Sequence, residues 1–521
     1  VDWLCTRMDG SESVPPVQDT PTTKQSVAPV EQKISSADIA TLSHAGSGVP
    51  RMTLKAVDHP LEISRALTAL SGAAIIIDDE QGVATLVADA LRQSGVPVEI
   101  AHVVRGAEHN GSQPRIGLTD PQVAREWCGH VRAKHGRIAA VIHLLPLANA
   151  DLFQQADVAR WIEPLEIELH SLFNVVQAAE RDLREPGGRV LAITRLDGSF
   201  GSIAKSVGDF WPGAGGTCGL VKTLAREWPD TISRVVDVGR DATVRQISEI
   251  VLNELRSDDQ AGEVGYSADR RIALLPTAVS LAGRKATITL NSDSVILITG
   301  GARGITAEAA MELAGRFACK LVLVGRAALP AEVEPRETAG IIETKQLKAV
   351  LLKVLGQSAE KVTPAKIEAA YARLMRERET RENLSVMRAA GATVEYHTVD
   401  VSDAEEFSTL IGDLYRRHGR IDGVIHGAGV IEDKLIRDKT LESFRRVCDP
   451  KIRGALTLAA KLRPKTLKFL VFFSSVSGRY GNRGQADYAA ANEVLDKLAI
   501  SLNAKWSTRV SALLWGPWES A

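Results

Sequence analysis

Cysteine is sparse: Cys5, Cys128, Cys218, Cys319 and Cys448 are scattered over 521 residues, odd in number and without a CxxC spacing. That pattern argues against a disulfide framework and against a zinc site, and it fits a reducing cytosol. Excess charge is also missing. Lys+Arg 63 against Asp+Glu 64 leaves a net charge of -1, which gives no support to a nucleic-acid or membrane-surface partner. No apolar run is long enough to span a bilayer, and no secretory leader is visible. The expected location is therefore cytoplasmic. The chain opens on Val1 rather than Met, as expected of a piece of a longer polypeptide.

What is present is an ordinary globular composition, 45% hydrophobic and 24% charged, long enough for two to four domains. Residues 1–50 are rich in Ser, Thr, Pro, Gln and Val and lack the periodic apolar residues that build a core. A flexible linker and a disordered end both fit that composition.

From 51 to 283, strand-like runs at Ala74 to Ile77, Val98 to Val104, Val141 to Leu145 and Arg189 to Ile193 alternate with helical patterns such as Val83 to Ser94. That alternation predicts an α/β fold with a doubly wound parallel sheet. Residues 284–521 repeat it. HGRIAAVIH at His135 to His143 returns as HGRIDGVIH at His418 to His426, and RVLAITRLDGSFG from Arg189 is answered by FLVFFSSVSGRYG from Phe469. Two copies of one Rossmann-like fold follow.

The second copy contains SVILITGGARGIT, Ser294 to Thr306. A buried strand (Val295 to Ile298), a turn carrying Thr299, Gly300, Gly301 and Gly304, and a helix from Ala307 together make a phosphate cradle. Glycine admits the backbone to a pyrophosphate, and the free N–H groups of the first helical turn point at it. With Gly82 set against Gly304, the first copy has Asp78 and Asp79 where Gly300 and Gly301 stand. Two carboxylates would repel a pyrophosphate. The first copy is therefore expected to be structural and the second to bind the dinucleotide.

After Lys320 to Gly325 the next strand, from Thr393, comes about seventy residues later. Helical patterns at Ile341 to Leu355 and Pro364 to Ala390, the latter with Thr363 and Pro364 as a cap pair, predict an inserted helical hairpin over about 331–390. Its charge run RLMRERETRE reads as a solvated face.

At the end of the second strand a carboxylate would take a ribose 2′-hydroxyl. Gly325 and Arg326 stand there instead, and Arg303 lies inside the glycine turn. Guanidinium groups favour a 2′-phosphate, hence NADPH. Asp400 and Val401 could meet the adenine, and Gly427, Ala428 and Gly429 leave room for close approach of the cofactor.

Ser475 precedes Tyr488 by thirteen residues, Asn492 follows it by four on the same helical face, and Lys451 lies upstream after Pro450, at the expected start of a helix. Carbonyl reduction needs a hydride on carbon and a proton on oxygen. A tyrosine supplies the proton if a nearby ammonium lowers its pKa, and a serine can hydrogen-bond the developing alkoxide.

These residues carry a resemblance. Residues 55 to 518 resemble the short-chain dehydrogenase/reductase superfamily, and more closely the ketoreductase domains of modular polyketide and polyunsaturated fatty-acid synthases. Such domains join a degenerate half to a catalytic one. The resemblance implies Tyr488 as general acid, Ser475 as the group orienting the carbonyl, and Lys451 and Asn492 completing a tetrad and proton relay. Lysine and asparagine have exchanged places relative to simple short-chain reductases, as in the synthase enzymes. It implies NADPH held by Thr299, Gly300, Gly301, Arg303, Gly304, Ile305, Gly325, Arg326, Asp400, Val401, Gly427, Ala428, Gly429, Gly516 and Pro517, with no metal.

In the first copy Arg195, Ala214 and Cys218 fall where Ser475, Tyr488 and Asn492 stand. The segment ending at Asp433 resembles the family's Leu-Asp-Asp loop, with Ile431 and Glu432 substituted, and Tyr480 stands where the opposite class has tryptophan. Together these imply a (3R)-hydroxyl. The insertion and Thr306 resemble the polyunsaturated fatty-acid synthase branch. The implied substrate is a β-ketoacyl thioester on the phosphopantetheine arm of an acyl carrier protein, with neighbouring synthase domains as partners. A substrate lid would follow Trp515-Gly516-Pro517-Trp518, past Ala521. Two other functions fit the same motifs: a silent NADP-binding scaffold domain and a free-standing short-chain alcohol dehydrogenase.

Overall fold

The computed structural model describes residues 51–104, 114–148, 158–202, 210–267, 270–279, 288–357 and 362–518. The expected linker at 1–50 lies outside them. The chain divides into two compact units. The described residues of the smaller are 51–55, 274–279 and 288–289, where the Val279 N–H donates to the Arg51 carbonyl at 2.9 Å. The larger, 56–273 with 290–521, holds the parallel strands of both copies of the α/β fold.

The strands of the first copy are β1 (Met52–Asp58), β2 (Ala73–Ile77), β3 (Val98–Ala101), β4 (Ile138–His143), β5 (Arg189–Thr194), β6 (Ile232–Val238), β7 (Glu263–Ser267) and β8 (Arg270–Ala278). Parallel neighbours run β7-β6-β5-β4-β2-β3. The central strands are buried throughout, which is why they read as continuous apolar runs rather than alternating ones. The expected strand to Val104 is shorter: β3 ends at Ala101, and Val103 makes only a bridge to Ile116.

The second copy has β9 (Val295–Thr299), β10 (Lys320–Gly325), β11 (Thr393–Thr398), β12 (Gly423–His426), β13 (Phe469–Ser475) and β14 (Arg509–Trp515), all parallel in the order β11-β10-β9-β12-β13-β14. The chain reverses direction of travel between β9 and β12. At that point the strand ends part and leave a crevice, the place where such sheets bind ligands. The two copies correspond strand for strand from β2/β9 to β6/β14; among the described residues, β11 is answered in the first copy only by the parallel bridge of Ile116 to Val103.

The inserted helices are Thr344–Leu355 and Pro364–Ala389. The second is capped as expected, with Thr363 Oγ1 accepting the Lys366 N–H at 3.3 Å. A second expectation is corrected. Pro450 does not open a helix; it lies inside Leu441–Lys461. The start is set ten residues earlier by Thr440, whose Oγ1 accepts the Ser443 N–H at 3.1 Å, and burial of Phe444, Val447, Ile452 and Leu456 holds the helix across the missing proline N–H.

The copies meet along helix Ala214–Glu227 of the first and Ala486–Lys505 of the second. Glycine makes the approach possible: a Cβ on Gly219 would lie 2.3 Å from the Ala489 carbonyl oxygen, and one on Gly215 2.5 Å from that of Glu493. Elsewhere the copies join through Phe173 and Phe444, ring centroids 4.7 Å apart, and through Gln177, whose amide donates to the Ile436 and Lys439 carbonyls at 2.7 Å each.

Candidate active site

The site grows from the C-terminal ends of β9, β12 and β13. Gly300 turns the chain out of β9 with φ 75, and Gly304 opens helix Gly304–Phe317 with φ 56. Both angles suit glycine. A Cβ on Gly300 would crowd the Ala428 amide at 3.0 Å, whereas nothing lies within 4 Å of one on Gly304. Arg303 and Gly304 are exposed. A backbone cradle that is tight behind and open in front fits a dinucleotide phosphate.

A chain of hydrogen bonds ties the cradle to the lysine helix. The Ala428 N–H donates to Thr299 Oγ1 at 3.2 Å, Thr299 Oγ1 meets His426 Nδ1 at 2.7 Å, and His426 Nε2 meets the Lys451 carbonyl at 2.9 Å. A carbonyl only accepts, so Nε2 carries the proton and Nδ1 accepts from threonine. Burial pushes His426 down to about 3; the ring is a neutral strut. In the sequence His426 stands out only as part of a loop. The signal that points to it is the paired HGRI motif.

Lys451 is buried, and its Nζ donates to the Phe473 carbonyl at 2.9 Å while lying 5.4 Å from the Tyr488 ring centroid. Burial lowers it to about 8, against the attraction of Asp496. Tyr488 is half-buried. Burial is the largest influence on its phenol and raises its pKa. Hydrogen bonds from Asn492 and Ser475 favour the phenolate, and the Asp433 charge disfavours it. The expected lowering by an ammonium is thus not what this arrangement produces: Lys451 lies by the ring and turns its charge to a backbone carbonyl.

Ser475 ends β13 and caps the short helix Val476–Tyr480, its Oγ accepting the Ser477 N–H at 3.1 Å. Asn492 donates to the Tyr488 carbonyl at 2.7 Å. Its Oδ1 is buried without a hydrogen-bond partner among the described residues. Ser475, Tyr488, Lys451 and Asn492 are therefore brought together. Gln485 binds this group to the loop carrying Asp433: its amide donates to Asp433 at 3.0 Å and its carbonyl accepts from Ser477 Oγ at 2.7 Å.

The adenosine side is looser. Arg326 is exposed after β10, 3.9 Å from Asp400. Asp400 is spent on its own turn, accepting from the Ser402 N–H at 2.9 Å and Ser402 Oγ at 2.7 Å. Val401 is buried. Tyr396, whose hydroxyl lies against Gly325, donates to the Ala327 carbonyl at 2.7 Å. Gly516 and Pro517 follow β14, where Trp515 and Trp518 meet edge to face, centroids 5.4 Å apart.

Beneath the tyrosine helix lies a charge cluster that no local pattern announced. Glu263 of the first copy pairs with Arg479, and Lys222 reaches Glu263 at 3.3 Å and Glu493 at 3.1 Å, while Lys497 holds Glu493 at 2.9 Å. All five are buried. The Lys222 contacts are close in distance but not aligned as hydrogen bonds. In the first copy Ala214 and Cys218 fill the positions of Tyr488 and Asn492; both are buried, and burial drives the Cys218 thiol well above its ordinary range.

Residues 294–520 match the family profile described as KR domain. A polyunsaturated fatty acid synthase polypeptide from Thraustochytrium is 30% identical over 348 residues, 64% of this chain and 12% of that one. A 6-methylsalicylic acid synthase from Aspergillus terreus is 31% identical over 311 residues, 58% of this chain and 15% of that one. The chain thus spans about an eighth of the length of these curated relatives. Among solved structures, an N-terminal ketoreductase from the macrolactin assembly line superposes with a TM-score of 0.65 at 22% identity, covering 90% of this chain and 83% of that one, a likeness of fold. Among the described residues, no helix is long and apolar enough to cross a membrane, and no cluster of potential metal ligands occurs.

Proposed function

Since residues 294–520 belong to the KR-domain family, we propose that this chain reduces a β-ketoacyl thioester, held on the phosphopantetheine arm of an acyl carrier protein, to the β-hydroxy thioester with NADPH. NADPH supplies the hydride. The chain's own residues hold the carbonyl and provide the proton. Ser475 donates a hydrogen bond to the carbonyl oxygen, and Tyr488 delivers its phenolic proton as negative charge develops there. The buried Lys451 ammonium, bonded to the Phe473 carbonyl in the resting site, turns to the phenolate once the proton has left, and Asn492, with its free buried oxygen, accepts from the group that returns the proton.

One observation carries the reading: Lys451 Nζ lies 5.4 Å from the Tyr488 ring, and Ser475 and Asn492 both act on its phenol, opposing the rise in pKa that burial imposes. Exposed Arg303 and Arg326, one in the glycine turn and one after β10, support a 2′-phosphate and hence NADPH over NADH. The loop ending in Asp433, tied through Gln485 to the first turn of the Tyr488 helix, supports delivery to the face that gives a (3R)-hydroxyl. The neighbouring synthase domains would bring the carrier to the crevice.

The test is Tyr488→Phe. Turnover of a β-ketoacyl thioester should vanish while NADPH affinity stays nearly unchanged; loss of cofactor binding would contradict the assigned role. Equal rates with free ketones and carrier-bound thioesters would replace this reading with a free-standing dehydrogenase.

A further inference from the structure

The helical insertion does more than fill space between β10 and β11. Two residues one turn apart on helix Pro364–Ala389 reach the glycine turn. Glu379 Oε1 accepts the Gly304 N–H at 2.8 Å, and the Asn383 amide donates to the Ala302 carbonyl at 3.0 Å. Gly304 is the first residue of its helix, so its amide is one of the free N–H groups that the macrodipole makes attractive to an anion. A carboxylate from a distant part of the chain thus sits on an amide of the phosphate cradle.

The first copy offers an internal comparison. There Asp79 takes the amides on either side of Gly82, the residue set against Gly304, accepting from Ala84 at 3.1 Å, Gln81 at 3.2 Å and Val83 at 3.4 Å. Asp79 belongs to the turn itself and is fully buried; it is a permanent occupant. Glu379 is half-buried, and Gly304 is exposed. Its carboxylate reaches in on a side chain with several rotatable bonds. The helix behind it is anchored independently, because Arg378 pairs with Glu334 at 2.8 Å and donates to the Ile341 and Thr338 carbonyls at 2.9 Å each. Glu379 can therefore swing away without the helix leaving.

We propose that Glu379 is a built-in competitor for the dinucleotide phosphate: it holds the Gly304 amide until the cofactor displaces it, and so lowers cofactor affinity. This rests on the reading that the glycine turn binds NADPH. Two anions cannot share one N–H donor, and at contact distance in a partly desolvated cleft they repel.

The experiment compares NADPH and NADH dissociation constants, by cofactor fluorescence, for the wild type, Glu379→Gln and Glu379→Asp. Glu379→Gln should bind both cofactors about fivefold tighter, the difference between breaking a charge-assisted hydrogen bond and breaking a neutral one. Glu379→Asp, one carbon too short to reach while keeping the charge, should fall between. Equal or weaker binding of both cofactors by both variants overturns the proposal. So does selective loss of NADH affinity, which would make Glu379 a ribose ligand. Failure of the wild type and both variants to bind either cofactor would overturn instead the reading of the glycine turn on which the proposal stands.

Discussion

Lys222 of the first copy lies 3.1 Å from Glu493 of the second, with both side chains buried. Glu493 stands five residues after Tyr488 on the same helix, so a cation from the copy that has Ala214 in place of that tyrosine fixes the helix that carries it. Lys222→Met should leave Glu493 and Glu263 facing each other with less compensation. We expect a loss of about 3–5 kcal/mol in unfolding free energy, read from urea titration. A loss below about 1 kcal/mol would mean Arg479 and Lys497 suffice. Adding Glu493→Gln should recover part of the loss, giving a coupling energy from the double-mutant cycle.

Asp496, two turns after Tyr488, is pushed up to about 7 by burial and by Glu493. Its folded pKa lies above the unfolded value. Between about pH 4 and pH 7 the folded state therefore holds a proton the unfolded state has lost, and stability falls as pH rises through that window. Asp496→Asn should flatten this limb and raise stability at pH 8 by at least about 1.4 kcal/mol, the equivalent of one pKa unit. Thermal melts at pH 5 and pH 8 check it. A variant less stable than wild type at pH 8 would show that the carboxylate is needed charged.

Lys451, lowered to about 8 by burial, sets the alkaline side of the rate profile. If its ammonium stabilises the Tyr488 phenolate, turnover should fall as pH rises through about 8. Lys451→Arg, charged at all these pH values, should lose activity overall yet show no such fall. An unchanged inflection in that variant would assign it elsewhere.

Gly219 lies where the two copies touch backbone to side. Gly219→Ala adds a Cβ 2.3 Å from the Ala489 carbonyl oxygen, next to Tyr488. The helices must part, at a cost of about 1–3 kcal/mol. Catalysis should fall more than cofactor affinity, because the tyrosine moves while the glycine turn does not. Equal loss of both, in paired kcat and binding measurements, would argue against this.

Much of this was readable in the chain because it is local. Strand β9, its glycine turn and the helix behind it occupy consecutive residues, and the Ser475, Tyr488 and Asn492 spacing lies within one strand-to-helix passage. What escaped is non-local. Glu379 and Gly304 are 75 positions apart, and Arg479 and Glu263 are 216 apart; no periodicity links them. Pro450 misled for another reason. Proline marks a helix start by local preference, but here tertiary burial on both sides carries the helix through it. The tyrosine's electrostatics are non-local too, because tertiary packing aims the Lys451 charge at the Phe473 carbonyl.

The contact between helices Ala214–Glu227 and Ala486–Lys505 has a consequence in terms of mass action. Two separate chains joined by such a contact would come apart on dilution, and the tyrosine helix would lose its support with them. Here both helices belong to one polypeptide, so their meeting is intramolecular and independent of protein concentration. The site stays assembled however dilute the protein becomes.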